Sequence, residues 1–241
     1  MTSLNSCLKF NLKSYNVLSK YHYSKDDWLS FFKCNDYKSN HEIKFTSIPG
    51  NIKRRASFLS KLAIETATSL IKSSKHVDFA IFASQHGEID RTVGLLQQIS
   101  TQEELSPTSF AQSVHNTASG LFSIANKFTQ PITSLSSGSS TFIMALIEAY
   151  AYLNSNENNQ SVLLVYFDEK LPSIYKPYVK NTFNTFSIGL ILEKGNNFKI
   201  EFETKNIALD DAQHIGKEFI EFLYGNASSK SINQFHFSKL S

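Results

Sequence analysis

Three kinds of apolar pattern alternate along this chain. Residues 77–83, VDFAIFA, and 162–167, VLLVYF, are almost continuously apolar, as expected of strands covered on both faces in a parallel sheet. Residues 56–72 place apolar side chains at 58, 59, 62, 63, 67, 70 and 71, the spacing of an amphipathic helix. Residues 8–12 alternate like a short strand, and 186–193 and 198–204 read as two more. Lys194, Gly195, Asn196 and Asn197 between them predict a hairpin turn. Asp26 and Asp27 ahead of Trp28 mark one helix start, and Ser106 followed by Pro107 marks another. Residues 92–99 and 207–224 predict further helices, and the tail after Gly225 carries little pattern.

The chain is organised around residues 132–153, ITSLSSGSSTFIMALIEAYAYL. A short strand, 132–135, runs into a turn of small residues and then into an apolar segment, 141–153, whose single charge is Glu148. That segment is too long for an ordinary strand and holds no breaker, so it predicts a helix buried on most faces. Strand, tight small turn and buried helix make the shape of a nucleophile elbow. The N–H groups that open such a helix can stabilise an oxyanion. The turn supplies Ser136, Ser137, Gly138 and Ser139 and no cysteine. Strands and helices alternate from 56 to 167, which predicts an α/β fold with a mainly parallel sheet.

Composition narrows the function classes. The 241 residues suit one large domain or two small ones. With 24 basic against 21 acidic residues, net charge +3, the balance argues against a nucleic-acid or anionic-membrane partner. Cys7 and Cys34 form no CxxC or metal spacing, which reads as a reduced, cytoplasmic chain. No secretory leader and no stretch of membrane-spanning length is evident. Trp28 reads as core or interface. His86, near Glu88 and Asp90, reads either as an acid–base or metal cluster or as turn residues that do not converge. His115 and Asn116 read either as a polar pair in a site or as a pair satisfying buried backbone groups.

Four stretches carry a resemblance: 48–67, 82–99, 105–124 and 132–149, with 162–172 fitting as well. The third, with its SPT-F-SVHN-G-SI pattern, is the most specific. Across most of 48–193 the chain resembles the N-terminal half of β-ketoacyl synthases. More narrowly it is similar to the short ketosynthase-like chain length factors of aryl polyene pathways. The resemblance implies a thiolase-like α/β fold, a mainly parallel sheet with a buried central helix, with 1–241 forming one ketosynthase-like domain. It implies no cofactor and no metal, and a heterodimer with an active β-ketoacyl synthase that an acyl carrier protein serves indirectly. Lys53, Arg54 and Arg55 read either as a solvated helix start or structural ion pairs, or as a contact for an acidic partner such as a carrier protein.

The catalytic cysteine of a condensing ketosynthase would fall at or beside Gly138 and Ser139, so no catalytic residue is expected. A serine without an adjacent base is a far poorer nucleophile. The family's two histidines and lysine come from a second half; here only His214 and His236 follow the central helix. Half a thiolase fold leaves the central helix to be covered by the C-terminal hairpin and helix, another copy or a partner. Thr108, Phe110, Val114 and Phe122 are the candidates for lining an acyl-chain cavity, and Phe110→Ala or Phe122→Ala would lengthen products. A second reading makes the chain an acyl transferase, thioesterase or decarboxylase using Ser139 or Ser137 with His115 or His86. A third makes it a scaffold only.

Overall fold

The computed structural model describes residues 5–34, 37–39, 41–155, 160–178, 184–203 and 212–240. Parts of the 154–160 loop and of the 207–224 helix, and Thr204, lie outside the described residues.

The chain opens with β1 (Asn5–Ser19), far longer than the 8–12 strand its alternation suggests. Then come α1 (Lys25–Lys33), α2 (Gly50–Arg55) and α3 (Phe58–Ser73). Ser24 caps α1 in a reciprocal capping box with Asp27, and Ser57 caps α3. The central part is β2 (Phe79–Ala83), α4 (Ile89–Ser100), α5 (Pro107–Ala111), α6 (Thr117–Asn126), β3 (Ile132–Leu135), α7 (Thr141–Ser155) and β4 (Ser161–Asp168). The chain closes with β5 (Phe186–Glu203), α8 (Ala212–Tyr224), β6 (Ser229–Ile232) and β7 (Phe235–Lys239).

Seven strands form one sheet in the order β3-β2-β4-β5-β7-β6, with β1 also pairing β5. The predicted α/β class holds, and the parallel part is β3, β2 and β4, the strands linked by helices. Every pairing beyond β4 is antiparallel. β4 shows why the sheet has two covered faces. Val162, Leu164 and Tyr166 enter one core with Phe142, Leu146 and Phe219, under α1, α7 and α8. Leu163, Val165 and Phe167 enter the other with Leu59, Leu62 and Phe122, under α3 and α6. This period-two division explains the uninterrupted apolar run.

The predicted hairpin at 194–197 is not formed. β5 runs straight through these residues, which bulge against β1: Phe10 pairs Phe198 while Asn11 pairs Glu193. The Asn197 side chain accepts the Leu12 N–H at 2.8 Å and donates to Asn11. A Cβ on Gly195 would stand 2.6 Å from that of Asn11, so the glycine serves close approach, not reversal. At this bulge β5 exchanges its neighbour β4 for β7. The second half of β5, with β7, then packs on α8 through Phe198, Phe219 and Phe237.

The central helix α7 is covered by the sheet and by α8, where Phe142 and Phe219 lie 4.8 Å apart. Met144 and Ala151 stay exposed, with Ile147 and Glu148 half-buried between them. That spacing leaves one open stripe on an otherwise buried helix.

Candidate functional site

The carboxyl ends of β2, β3 and β4 meet at one edge of the sheet, where open α/β folds place their sites. The turn after β2, Ser84 to Glu88, is the hub. Asp168, at the end of β4 and 1 % exposed, accepts hydrogen bonds from Ser84 Oγ (2.8 Å), the Gln85 N–H (3.0 Å) and the His86 N–H (3.2 Å). Ser84 Oγ in turn accepts the Gly87 N–H, and Gly87 adopts φ +57°. Ser136, after β3, donates to the Gln85 carbonyl at 3.1 Å. Glu88 is buried, accepts from Ser57 Oγ and Ser60 Oγ, and forms an ion pair with Arg91 at 3.5 Å. Sequence reasoning named His86, Glu88 and Asp90 but missed Ser84 and Asp168, whose partner positions stand 82 to 84 residues apart.

His115 reaches this hub. Its Nε2 lies 2.7 Å from the Ser84 carbonyl, and since a carbonyl only accepts, Nε2 carries the hydrogen. Its ring also packs beside Gly87. Asn116 stands at the start of α6, where its carbonyl accepts the Gly120 N–H and Ser119 Oγ. The motif around His115 therefore ties the α5–α6 connection to the β2 turn.

At the elbow, Gly138 sits at φ +54° and Ser139 is half-buried. The turn is closed by its own donors: Ser140 N–H to the Ser137 carbonyl, Thr141 N–H to the Gly138 carbonyl, and Ser137 N–H to Thr141 Oγ1. Those N–H groups are spent before any oxyanion could use them. Among the described residues, neither His86 nor His115 makes a hydrogen bond to Ser139 or Ser137.

The cavity candidates do not share one wall. Phe122 is fully buried between Phe82 and Phe128 in the core under α3 and α6. Phe110 is 66 % exposed, and Thr108 and Val114 are exposed with it. The helix that starts at Ser106 and Pro107 ends at Gln112, and a second begins at Thr117, so the candidates fall on two helices and the turn between them.

Charge gathers around the hub. Burial pushes the Asp168 carboxyl above its usual range against the pull of its donors and His86, and burial pushes His86 down. Glu169 is lifted from 4.5 to about 7, first by burial and then by Asp90, Glu88 and Asp168. Its folded form therefore holds a proton that the unfolded chain releases near 4.5, so this group's stabilisation is lost as pH rises toward 7. His86 acts oppositely, weakening the fold as pH falls through its ordinary 6.5. Glu169→Gln should isolate the first effect. The variant should gain about 1–2 kcal/mol over wild type at pH 8 and little at pH 4.5, read from urea midpoints. An equal difference at both pH values would contradict it. No group of three His, Cys, Asp or Glu suited to a metal occurs among the described residues.

Residues 28–231 match the family described as beta-ketoacyl synthase, N-terminal domain. Among solved structures, a chain from the complex of a ketosynthase with its chain length factor from Xenorhabdus doucetiae superposes with a TM-score of 0.84. The two are 24 % identical, over 96 % of this chain and 100 % of that one. A chain of the ishigamide ketosynthase/chain length factor superposes with a TM-score of 0.64 at 11 % identity, over 80 % of this chain and 65 % of that one. No curated protein sequence matches. Both structural likenesses bear on fold.

Proposed function

We propose, from the premise that the chain belongs to the beta-ketoacyl synthase N-terminal domain family, that it is a non-catalytic chain length factor. It would pair with an active β-ketoacyl synthase and help shape the cavity for a growing aryl polyene or polyketide chain. The observation that carries this reading is the elbow. In this reading a condensing enzyme's cysteine falls at or beside Gly138 and Ser139, where the turn offers no thiol, and His115 spends its Nε2 hydrogen on the Ser84 carbonyl. The free cysteines lie elsewhere, Cys7 in β1 and Cys34 after α1.

Two further features support a partner. β3 ends the sheet among the described residues, with one side unpaired. Beside it, α6 leaves Ile124 exposed, while Phe110 and Val114 lie exposed just before that helix. Those side chains, with Thr108, would form an acyl cavity only with the partner's surface. Acyl carrier protein would then meet the complex through the ketosynthase. The whole chain would act as one ketosynthase-like unit in the cytoplasm; no helix among the described residues is long and apolar enough to cross a membrane.

The test is mass by light scattering after size exclusion, with the chain alone and co-expressed with the ketosynthase of its pathway. A stable one-to-one complex is expected, with self-association or poor solubility alone. A monodisperse homodimer indifferent to the ketosynthase would reject the reading, and labelling of Ser139 by a serine-directed acylating probe would favour the enzyme instead.

A further inference from the structure

A second site lies away from the elbow. β1 and β4 end side by side around the start of β5, and α1 and the loop before α2 close over them. Between them is a pocket of about 570 Å³, within the range of small-molecule sites. Its interior is aromatic. Phe31 is buried, and Tyr37, Phe58 and Tyr21 line the walls. His22 is wall rather than ligand, because its ring nitrogens are held by Ser19 Oγ (2.9 Å) and the Tyr37 carbonyl (2.9 Å).

The rim is cationic. Among the described residues, Lys20, Lys38 and Lys170 line it against one carboxylate, Glu42. Glu42 is committed to Lys20 at 2.9 Å. Lys38 stands 5.5 Å from the centre of the Tyr21 ring and, like Lys170, has no ion pair among the described residues. Two ammonium groups with no carboxylate partner among the described residues, one of them against an aromatic face, select for a negative head on a flat apolar body.

We infer that this pocket binds a ring-bearing organic anion, independently of any role of the elbow or of a partner subunit. The protein carries its own reporter. Trp28 is its single tryptophan, is buried with its ring 5.0 Å from that of His22 and 6.0 Å from that of Phe31, two of the lining residues, and donates its indole N–H to the Val17 carbonyl at 3.0 Å.

The experiment titrates the full chain, or its co-purified complex, with 2-naphthoate and with neutral 2-naphthamide. Affinity is read by calorimetry, and the Trp28 indole N–H resonance locates the site. Naphthoate should bind on the order of tenfold tighter than the amide and shift that resonance. The double variant Lys38→Gln, Lys170→Gln replaces two exposed side chains and should keep the thermal midpoint. It should bring naphthoate down to the affinity of the amide. No binding of either probe at millimolar concentration, equal affinity for both, binding that leaves Trp28 unmoved, or a double variant with undiminished naphthoate affinity would each overturn the assignment.

Discussion

Replacing Ser134 with proline is expected to abolish the proposed complex with a ketosynthase while leaving this chain folded. The carbonyls of Pro131, just before β3, and of Leu135, at its end, accept the N–H groups of Ala80 and Ser84, each at 3.1 Å. Peptide groups alternate along a parallel strand, so those of Ile132 and Ser134 face the open side. Proline at 134 deletes one outward donor and puts its ring where an added strand would lie, yet breaks no bond to β2. The contact of Ser134 Oγ with Ser119 Oγ, 2.8 Å, is also lost, so Ser134→Ala is the control. We expect the proline variant to lose about 100-fold or more in affinity for the ketosynthase, against less than about threefold for alanine. Thermal midpoints should stay within a few degrees of wild type. An intact complex in the proline variant would move the interface away from β3.

The second large effect is on stability. Asp168→Ala should cost about 3–5 kcal/mol by urea denaturation, because it strands three donors and opens a cavity at the hub. Asp168→Asn keeps the shape and one acceptor oxygen, so it should cost only about 1–2 kcal/mol. Burial already holds the native carboxyl above its usual range, so the lost charge matters less than the lost acceptors. A cost below about 1 kcal/mol for the alanine variant would mean that water replaces the carboxylate and that the hub is not its work.

What could be read from the sequence was local. β2 and β4 are covered on both faces and announce themselves as continuous apolar runs. The elbow needed only small residues ahead of a breaker-free segment. Lys194 to Asn197 misled for the same reason: their composition is that of a turn, while their conformation is set by Asn11, some 185 residues away. The hub depends on Asp168 meeting the β2 turn, which no local spacing records. Phe110 and Phe122 stand in one short stretch of sequence, yet on either side of the break at 112–116 one is exposed and the other lies in the core. The tail did hold a signal: Phe235 and Phe237 alternate after Asn233, which takes φ +54° between β6 and β7.

The pairing of β1 with β5 has a consequence for how the protein is made. Residues 5–19 find their partner strand only at 186–203. On a translating ribosome the first strand therefore emerges with no place to go. At ordinary elongation rates it waits roughly ten to forty seconds for its complement. Throughout that interval Leu8, Phe10 and Val17, all buried at the end, are in water on a strand with two free edges. Nascent chains stalled before residue 186 should be the ones that engage chaperones or aggregate, and slowing translation should lower the yield of folded protein.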